Sequence, residues 1–229
     1  MEYTAADIAA MIDHSLLRPE LSTSDIVAGC AIARRYNVAA VCCASTDVAI
    51  CRDALAGSKV AVAAVVGFPH GYVPTEVKAA EAARALADGA TELDMVLHIG
   101  RLLSGDFDYV KADIKAVVDA AHARGARVKV ILENCYLTDQ LKRIGCRLCQ
   151  EAGADFVKTS TGFARGGATI ADIELMRAVV SPTMQVKAAG GVRDLDMALK
   201  VRAAGATRFG ATQTEAIMEE AYRRKGRTT

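Results

Sequence analysis

The sequence predicts an α/β protein, a single (β/α)8 or TIM barrel with a short N-terminal helix. Short apolar or β-branched runs alternate with longer segments of helical spacing from one end of the chain to the other. One strand and one helix take about 28 residues, so eight such units fill the 229 residues of the chain. Because no Ser- or Pro-rich linker interrupts the pattern, we expect one domain over residues 1–229.

Eight short runs rich in Val, Ile, Leu and Ala are the predicted strands. They are Ile12–Leu16, Ala39–Cys43, Val60–Gly67, Glu92–Leu97, Val128–Glu133, Phe156–Ser160, Gln185–Ala189 and Thr207–Ala211. A doubly wound sheet is the alternative, but such sheets usually have five or six strands, and no G-x-G-x-x-G follows the first strand here. The strand count therefore favours the barrel.

The segments between the strands carry signals for helix ends. Ser22 with Asp25, Thr138, and Thr169 with Asp172 have the spacing of N-terminal caps. A Gly-Ala turn then closes several helices before the next strand, since glycine can adopt the left-handed conformation there. These turns begin at Gly89, Gly125, Gly153 and Gly205. After the last strand, Thr214 and the tail Arg223 to Arg227 are predicted to be a solvent-exposed terminus.

Composition excludes several functional classes. A formal charge of +1 offers no broad field for a polyanion, so nucleic acid is not an expected partner. The longest apolar stretch, Val60 to Phe68, is too short to cross a bilayer, so no membrane contact is expected. Seven cysteines are an odd number in a chain that folds without disulfides, which predicts reduced thiols and a cytoplasmic location. The pair Cys146 and Cys149 is interpreted as structural.

Charged side chains occur where a buried strand should be apolar. Lys129, Lys158 and Lys187 each stand inside an apolar strand, 29 residues apart. A buried lysine needs a partner, and three acids occupy equivalent positions: Asp13, Asp94 and Glu133. Lys129 and Glu133 share one face by strand parity, so we expect both inside the barrel. Any single one of these side chains could instead be a satisfied ion pair or face solvent.

Two desolvated lysines on adjacent strands should lower each other's pKa, so that one is neutral near pH 7. A neutral lysine amine attacks carbonyl carbon, and a neighbouring carboxylate such as Asp94 could move protons as the carbinolamine forms and breaks down. The strands therefore indicate imine chemistry. No His or Cys ligand set for a metal is visible, and no cofactor is expected.

Glycine-rich turns follow strands six, seven and eight, at Gly162, at Gly190-Gly191 and at Gly210. In barrels the C-terminal ends of these strands commonly bind phosphate, because glycine lets backbone amides approach the anion. Tight turns alone would explain any one of them. Three adjacent turns favour a phosphate site.

Five segments together resemble the 2-deoxyribose-5-phosphate aldolase family, the class I aldolases on a TIM barrel. They are Ile12–Pro19 (IDHSLLRP), Gly67–Gly71 (GFPHG), Glu92–Val96 (ELDMV), Asp155–Phe163 (DFVKTSTGF) and Val186–Arg193 (VKAAGGVR), within a match from about Ile12 to Ile217. The resemblance implies reversible cleavage of 2-deoxyribose 5-phosphate to acetaldehyde and glyceraldehyde 3-phosphate without a metal. The sequence leaves the oligomeric state open, with a homodimer or higher homo-oligomer as one alternative.

The resemblance also implies roles for individual residues. Lys158 would form the Schiff base, and Asp94 and Lys187 would serve proton transfer. The substrate and its phosphate would be held by Cys42, Thr159, Gly162, Gly190, Gly191, Val192, Arg193, Gly210 and Thr212. The family pattern differs at Ala44-Ser45 and at Ala211-Thr212-Gln213. Two alternatives stay open: a related Schiff-base aldolase acting on a different or unphosphorylated aldehyde, and a catalytically silent barrel that binds a phosphorylated metabolite.

Overall fold

Eight parallel strands, paired in chain order, close into one barrel. The structure is a computed structural model that describes residues 3–225. The strands are β1 (Ile12–Leu16), β2 (Ala40–Cys43), β3 (Ala61–Val66), β4 (Glu92–Val96), β5 (Arg127–Ile131), β6 (Phe156–Lys158), β7 (Gln185–Ala188) and β8 (Arg208–Ala211). The predicted barrel is confirmed, and each predicted strand lies within two residues of the observed one at both ends.

Helices follow the strands, and a short helix precedes the first strand as predicted. They are α1 (Ala5–Ala9), α2 (Thr23–Tyr36), α3 (Val48–Ala54), α4 (Thr75–Asp88), α5 (Ile99–Leu103), α6 (Phe107–His122), α7 (Asp139–Glu151), α8 (Ile170–Val179), α9 (Leu195–Ala203) and α10 (Thr214–Lys225). The predicted caps are present: the side chains of Ser22, Thr138 and Thr169 each accept a hydrogen bond from a backbone amide of the first helical turn. No helix within residues 3–225 is long and apolar enough to cross a membrane.

The Gly-Ala turns set the spacing between helices and following strands. All four glycines have positive φ, as predicted. At Gly89, with φ +114°, an added Cβ would also lie 2.7 Å from Cδ of Arg52. Glycine is therefore required there both for the backbone conformation and for the packing of α4 against α3.

The main core lies between the outer faces of the strands and the helices, where side chains such as Ile12, Leu93 and Phe209 are fully buried. A second, smaller apolar cluster lies inside the barrel: Ala40, Cys42, Ala63 and Val65 on β2 and β3. We call it the apolar half of the interior. Strands β4 to β8 and β1 contribute charged residues to the rest, because alternate residues of each strand point inward.

Thr214 is not exposed, contrary to the prediction. It is fully buried at the start of α10, and its Oγ1 lies 2.8 Å from Nδ1 of His14 on the outer face of β1. Burial lowers the pKa of His14 to about 4, so the ring is neutral at pH 7. The contact fixes α10 against β1. In the predicted tail, Arg223 and Arg224 are exposed, and the last two residues, 226 and 227, lie outside the described residues.

Candidate active site

A cavity of about 550 Å³ opens at the C-terminal end of the barrel. This is the end where barrel enzymes carry their active sites. Ten of the predicted site residues line it: Cys42, Lys158, Gly162, Lys187, Gly190, Gly191, Val192, Arg193, Gly210 and Thr212. The other two, Asp94 and Thr159, are fully buried beside it.

Lys158 is the last residue of β6, and its side chain is only 3% exposed. Its Nζ donates a hydrogen bond of 2.6 Å to Oδ2 of Asp94. Burial lowers the pKa of Lys158, and the neighbouring charge of Lys187 lowers it further, whereas Asp94 opposes both effects. The result is a lowered pKa for a lysine that opens onto the cavity, as a nucleophilic amine requires.

Asp94 lies on β4 beneath the cavity and accepts hydrogen bonds from three lysines. Its Oδ2 is 2.6 Å from Lys158 and 2.7 Å from Lys187, and its Oδ1 is 2.8 Å from Lys129. Burial favours the neutral acid, but the three lysines hold the pKa of Asp94 well below its usual value. Asp94 is therefore a carboxylate that connects the two cavity lysines.

The two cavity lysines do not shift in the same direction, which corrects one prediction. Burial acts to lower the pKa of Lys187, but the charges of Asp13 and Asp94 outweigh it, and the pKa of Lys187 is raised. Lys129 behaves in the same way because Asp94 and Asp13 attract its proton. Of these three lysines only Lys158 has a lowered pKa, since among the described residues it has Asp94 alone as an acidic hydrogen-bonding partner.

Lys158 acts electrostatically on Glu133, but within residues 3–225 Glu133 forms no salt bridge with the lysines that the parity of β5 predicted it to face. The strand ends at Ile131, and Glu133 follows with a φ of +56°, so the alternation of faces no longer applies. Its carboxylate instead accepts hydrogen bonds from the backbone amide, at 3.2 Å, and the hydroxyl of Thr161. Burial raises the pKa of Glu133.

Glu92 is the third buried carboxylate of the barrel interior. It lies two residues before Asp94 on the same face of β4, and its carboxylate is 2.5 Å from Nζ of Lys129 and 3.0 Å from Nη2 of Arg208. Arg208 also pairs with Asp13. The buried charged cluster comprises Asp13, Glu92, Asp94, Lys129, Lys158, Lys187 and Arg208. The sequence analysis missed Arg208, although an arginine inside an apolar strand is the same signal that marked the lysines.

Thr159, predicted to contact substrate, does not line the cavity. Its hydroxyl donates to the carbonyl of Ala189 at 3.2 Å and accepts from the amide of Ala189 at 3.0 Å. The side chain thus holds the end of β6 against the end of β7. It fixes the backbone next to Lys158.

Glycines 167 and 190 bring two loops into direct backbone contact at the rim. An added Cβ on Gly190, which has a φ of +78°, would lie 2.9 Å from Cα of Gly167. The amide of Ala168 donates to the carbonyls of Ala189 and Gly190, both at 2.9 Å. Gly191 is exposed beside Arg193 at the mouth. Helix α10 begins directly after two further lining residues, Thr212 and Gln213.

The remaining wall was not predicted. It includes Ser15, Leu17 and Arg18 from the end of β1 and Thr161 and Phe163 from the loop after β6. The half-exposed ring of Phe163 contacts Phe68 edge-to-face, with a centroid distance of 5.3 Å. Within residues 3–225, no three His, Cys, Asp or Glu side chains are grouped so that they could hold a metal ion.

The fold and the site, taken together with known proteins, define the class as an aldolase, a carbon–carbon lyase. The model of the family described as DeoC/LacD family aldolase matches residues 8–217. The chain belongs to the DeoC/LacD family of aldolases.

Individual relatives cover nearly the whole chain. It is 53% identical over 217 residues to a deoxyribose-phosphate aldolase of Thermococcus gammatolerans, covering 94% of this chain and 96% of that one. It is 47% identical to that of Rhodopirellula baltica, covering 98% of this chain and 93% of that one. A solved structure described as a unique tetrameric deoxyribose phosphate aldolase from Aeropyrum pernix superposes with a TM-score of 0.89 at 32% identity, over 95% of this chain and 92% of that one.

Proposed function

We propose that this protein is a class I deoxyribose-phosphate aldolase that cleaves 2-deoxy-D-ribose 5-phosphate reversibly to acetaldehyde and D-glyceraldehyde 3-phosphate. The observation that carries the proposal is Lys158: a buried amine with a lowered pKa that opens onto the cavity and is bound to Asp94. The names of the relatives support the choice of substrate.

The reaction begins with attack of the neutral Lys158 amine on the C1 aldehyde of the open-chain sugar. Loss of water from the carbinolamine gives an iminium ion. The C3 hydroxyl then loses its proton, the C2–C3 bond breaks, and its electron pair moves into the iminium to form an enamine, which releases glyceraldehyde 3-phosphate. Protonation of the enamine at C2 and hydrolysis of the imine by water release acetaldehyde and restore the amine.

Lys187 would move the protons of these steps, and Asp94 would hold it in place as a carboxylate. Lys187 lines the cavity as an ammonium group and is hydrogen-bonded to Asp94. It can deliver a proton to the departing water and recover one from the C3 hydroxyl. Asp94 stays ionised throughout, which keeps the two lysines together and stabilises the cationic iminium.

The sugar phosphate would bind at the glycine-rich rim. Gly162, Gly190, Gly191 and Gly210 line this part of the cavity together with the exposed Arg193. Hydrogen bonds from amides to a charged group contribute about 1.5–3 kcal/mol each, so several amides could hold a phosphate without side-chain hydroxyls. The sequence Ala211-Thr212-Gln213 is compatible with such a site.

Reductive trapping tests the proposal. Borohydride reduction in the presence of acetaldehyde should add one ethyl group to the peptide that contains Lys158. Lys158→Met should lose this label and at least about 10³-fold in kcat. Lys142→Met, which removes a lysine paired with Asp172 outside the cavity, is the matched control and should keep both. Label on another peptide, or near-normal turnover in Lys158→Met, would contradict the proposal.

Three further assignments accompany this function. We infer one domain over residues 1–229, supported by a barrel that contains all the strands of the described part. We infer a homo-oligomer, supported by the tetrameric relative. The seven free thiols, six of them buried, support a reducing compartment such as the cytoplasm.

A further inference from the structure

Arg208 lies at the base of the site and cannot touch substrate. It is 7% exposed and is absent from the cavity wall, which β8 forms with Gly210 and Ala211. Its guanidinium pairs with Asp13 on β1 and, at 3.0 Å, with Glu92 on β4, and it lies over the ring of Phe156. Any effect on catalysis must therefore act through other residues.

The buried charged cluster contains one more basic group than acidic groups. Three carboxylates, Asp13, Glu92 and Asp94, face three lysines and Arg208. An uncompensated charge in a buried site is costly, so the favoured state has three positive charges against three negative ones. One basic group must then be neutral. An arginine cannot supply that neutral group, because it does not lose its proton in proteins.

We propose that Arg208 is a positioning residue for Lys158: its permanent charge satisfies the third buried carboxylate and thereby leaves Lys158 as the neutral amine. The inference rests on the proposed role of Lys158 as the imine-forming residue.

The arrangement of the cluster selects Lys158 rather than another lysine. Lys129 contacts all three carboxylates, and Lys187 contacts Asp13 and Asp94. In the described part of the chain, Lys158 has Asp94 alone as an acidic hydrogen-bonding partner. Arg208 neutralises part of the charge of Asp13 and Glu92, so Lys129 and Lys187 depend more on Asp94 for their ion pairs. Lys158 consequently has the lowest proton affinity of the three lysines.

Strand register allows the size of the effect to be worked out. Lys158, Lys187 and Arg208 are neighbours in register on the adjacent strands β6, β7 and β8. Two strand spacings separate Lys158 from Arg208, about 10 Å. A unit charge at that distance changes a pKa by about one unit at an effective dielectric constant of about 20. Removing Arg208 should therefore raise the pKa of Lys158 by about one unit.

Other groups around Lys158 do not obscure this shift. Cys42 faces it from β2, but burial raises the pKa of this thiol to about 11, so it is neutral below pH 9. Asp94 and Lys187 keep their charges because their pKa values move away from neutrality. Glu133, two residues after the end of β5, interacts electrostatically with Lys158. Its hydrogen bond with Thr161 is retained in every variant of the experiment, so its effect is the same in all of them.

The experiment measures the proton affinity of the Lys158 amine directly, without using the aldolase reaction. The full-length protein is labelled briefly with trace acetic anhydride between pH 5 and pH 10, and mass spectrometry gives the labelling of the Lys158 peptide. Arg208→Met, which retains an apolar chain over Phe156, should raise the midpoint by about one pH unit. Glu92→Gln should lower it by a similar amount, and the double variant should return it to within about 0.3 unit of wild type.

Arg127→Met is the matched control. Arg127 contacts the same Glu92 and lies over the same Phe156 ring, but its side chain is 45% exposed. Solvent screens its charge, so the midpoint should move by less than about 0.3 unit. If Arg208→Met does not fold, the role of Arg208 is tested by the downward shift of the labelling midpoint in Glu92→Gln and by the reversal of that shift in the double variant.

An unchanged midpoint in the folded variants, or shifts of the same sign for Arg208→Met and Glu92→Gln, would overturn the inference. Borohydride trapping with acetaldehyde is measured in parallel on wild type. Failure to trap at Lys158, with the labelling shifts present, would contradict the proposed function alone. Normal trapping without the labelling shifts would contradict only the role of Arg208.

Discussion

Replacing Lys187 by methionine should make Lys158 a weaker nucleophile at neutral pH. Both ammonium nitrogens bind the same oxygen of Asp94, at 2.7 Å and 2.6 Å. They are thus at most about 5 Å apart, where two unit charges repel by about 3 kcal/mol at an effective dielectric constant of about 20. Removing that repulsion corresponds to a rise of about two units in the pKa of Lys158. The release of Asp94 from Lys187 acts in the same direction.

The assay is the pH dependence of kcat/KM for cleavage of 2-deoxyribose 5-phosphate. Because protonated Lys158 is inactive, the acidic limb should move upward by about two pH units, and each pH unit below the new midpoint should reduce the rate about tenfold. Loss of Lys187 as a proton donor would lower the plateau without moving this limb, so the two effects are separable. Lys142→Met is again the control. An acidic limb that stays in place would refute the electrostatic coupling of the two lysines.

Four further outcomes are expected. The specificity constant for 2-deoxyribose 5-phosphate should exceed that for 2-deoxyribose by at least about 100-fold, or roughly 2.7 kcal/mol, and equal constants would mean that the rim binds no phosphate. Gly190→Ala should reduce the preference for the phosphorylated sugar at least about tenfold, because the added Cβ would push the loops of Gly167 and Gly190 apart. Gly57→Ala is the control and should not change this preference, because Gly57 has a similar φ of +76° but no neighbour within 4 Å. EDTA should leave turnover unchanged, and a loss restored by zinc would contradict a lysine-based mechanism. The pKa of His14 is lowered in the folded state, so the unfolded chain binds a proton first as the pH falls below about 6.5. Protonation of the unfolded state therefore destabilises the folded protein. In urea titrations, wild type should lose about 2 kcal/mol more unfolding free energy between pH 7 and pH 4.5 than His14→Gln does.

The alternation of strands and helices could be predicted because each short apolar run is bounded by turn residues and each Gly-Ala turn requires positive φ. The exact residues at which the strands end could not be predicted, since they depend on hydrogen bonds to neighbouring strands. The error at Glu133 arose in this way: counting residues on one face assumes an extended backbone, and the backbone leaves that conformation after Ile131. Glu92 was within reach of the same reasoning, two residues before Asp94.

Ten of the cavity residues could be predicted from the motifs, whereas the hydrogen bonds and ion pairs beneath them could not. Nothing in the sequence indicates that Thr159 is turned toward Ala189 rather than the cavity, because that depends on how the ends of β6 and β7 meet. Arg208 carried the same signal as the lysines, but its partners lie on β1 and β4, far away along the chain, and could not be identified from the sequence. The catalytic roles of Lys158, Asp94 and Lys187 stay predictions until trapping and pH profiles are measured.

The barrel interior has an apolar part and a charged part, so the space in the cavity and the ionisation of the site depend on different strands. On β2 and β3 the inward side chains are small and uncharged, and Cys42 of β2 lines the cavity, so replacing it by another uncharged residue changes the space in the cavity without adding a formal charge. On the charged strands, a substitution at Arg208, which does not line the cavity, changes the ionisation of the site without reshaping its wall. Mutagenesis libraries aimed at new aldehydes and libraries aimed at a new working pH can therefore be built on different strands and combined afterwards.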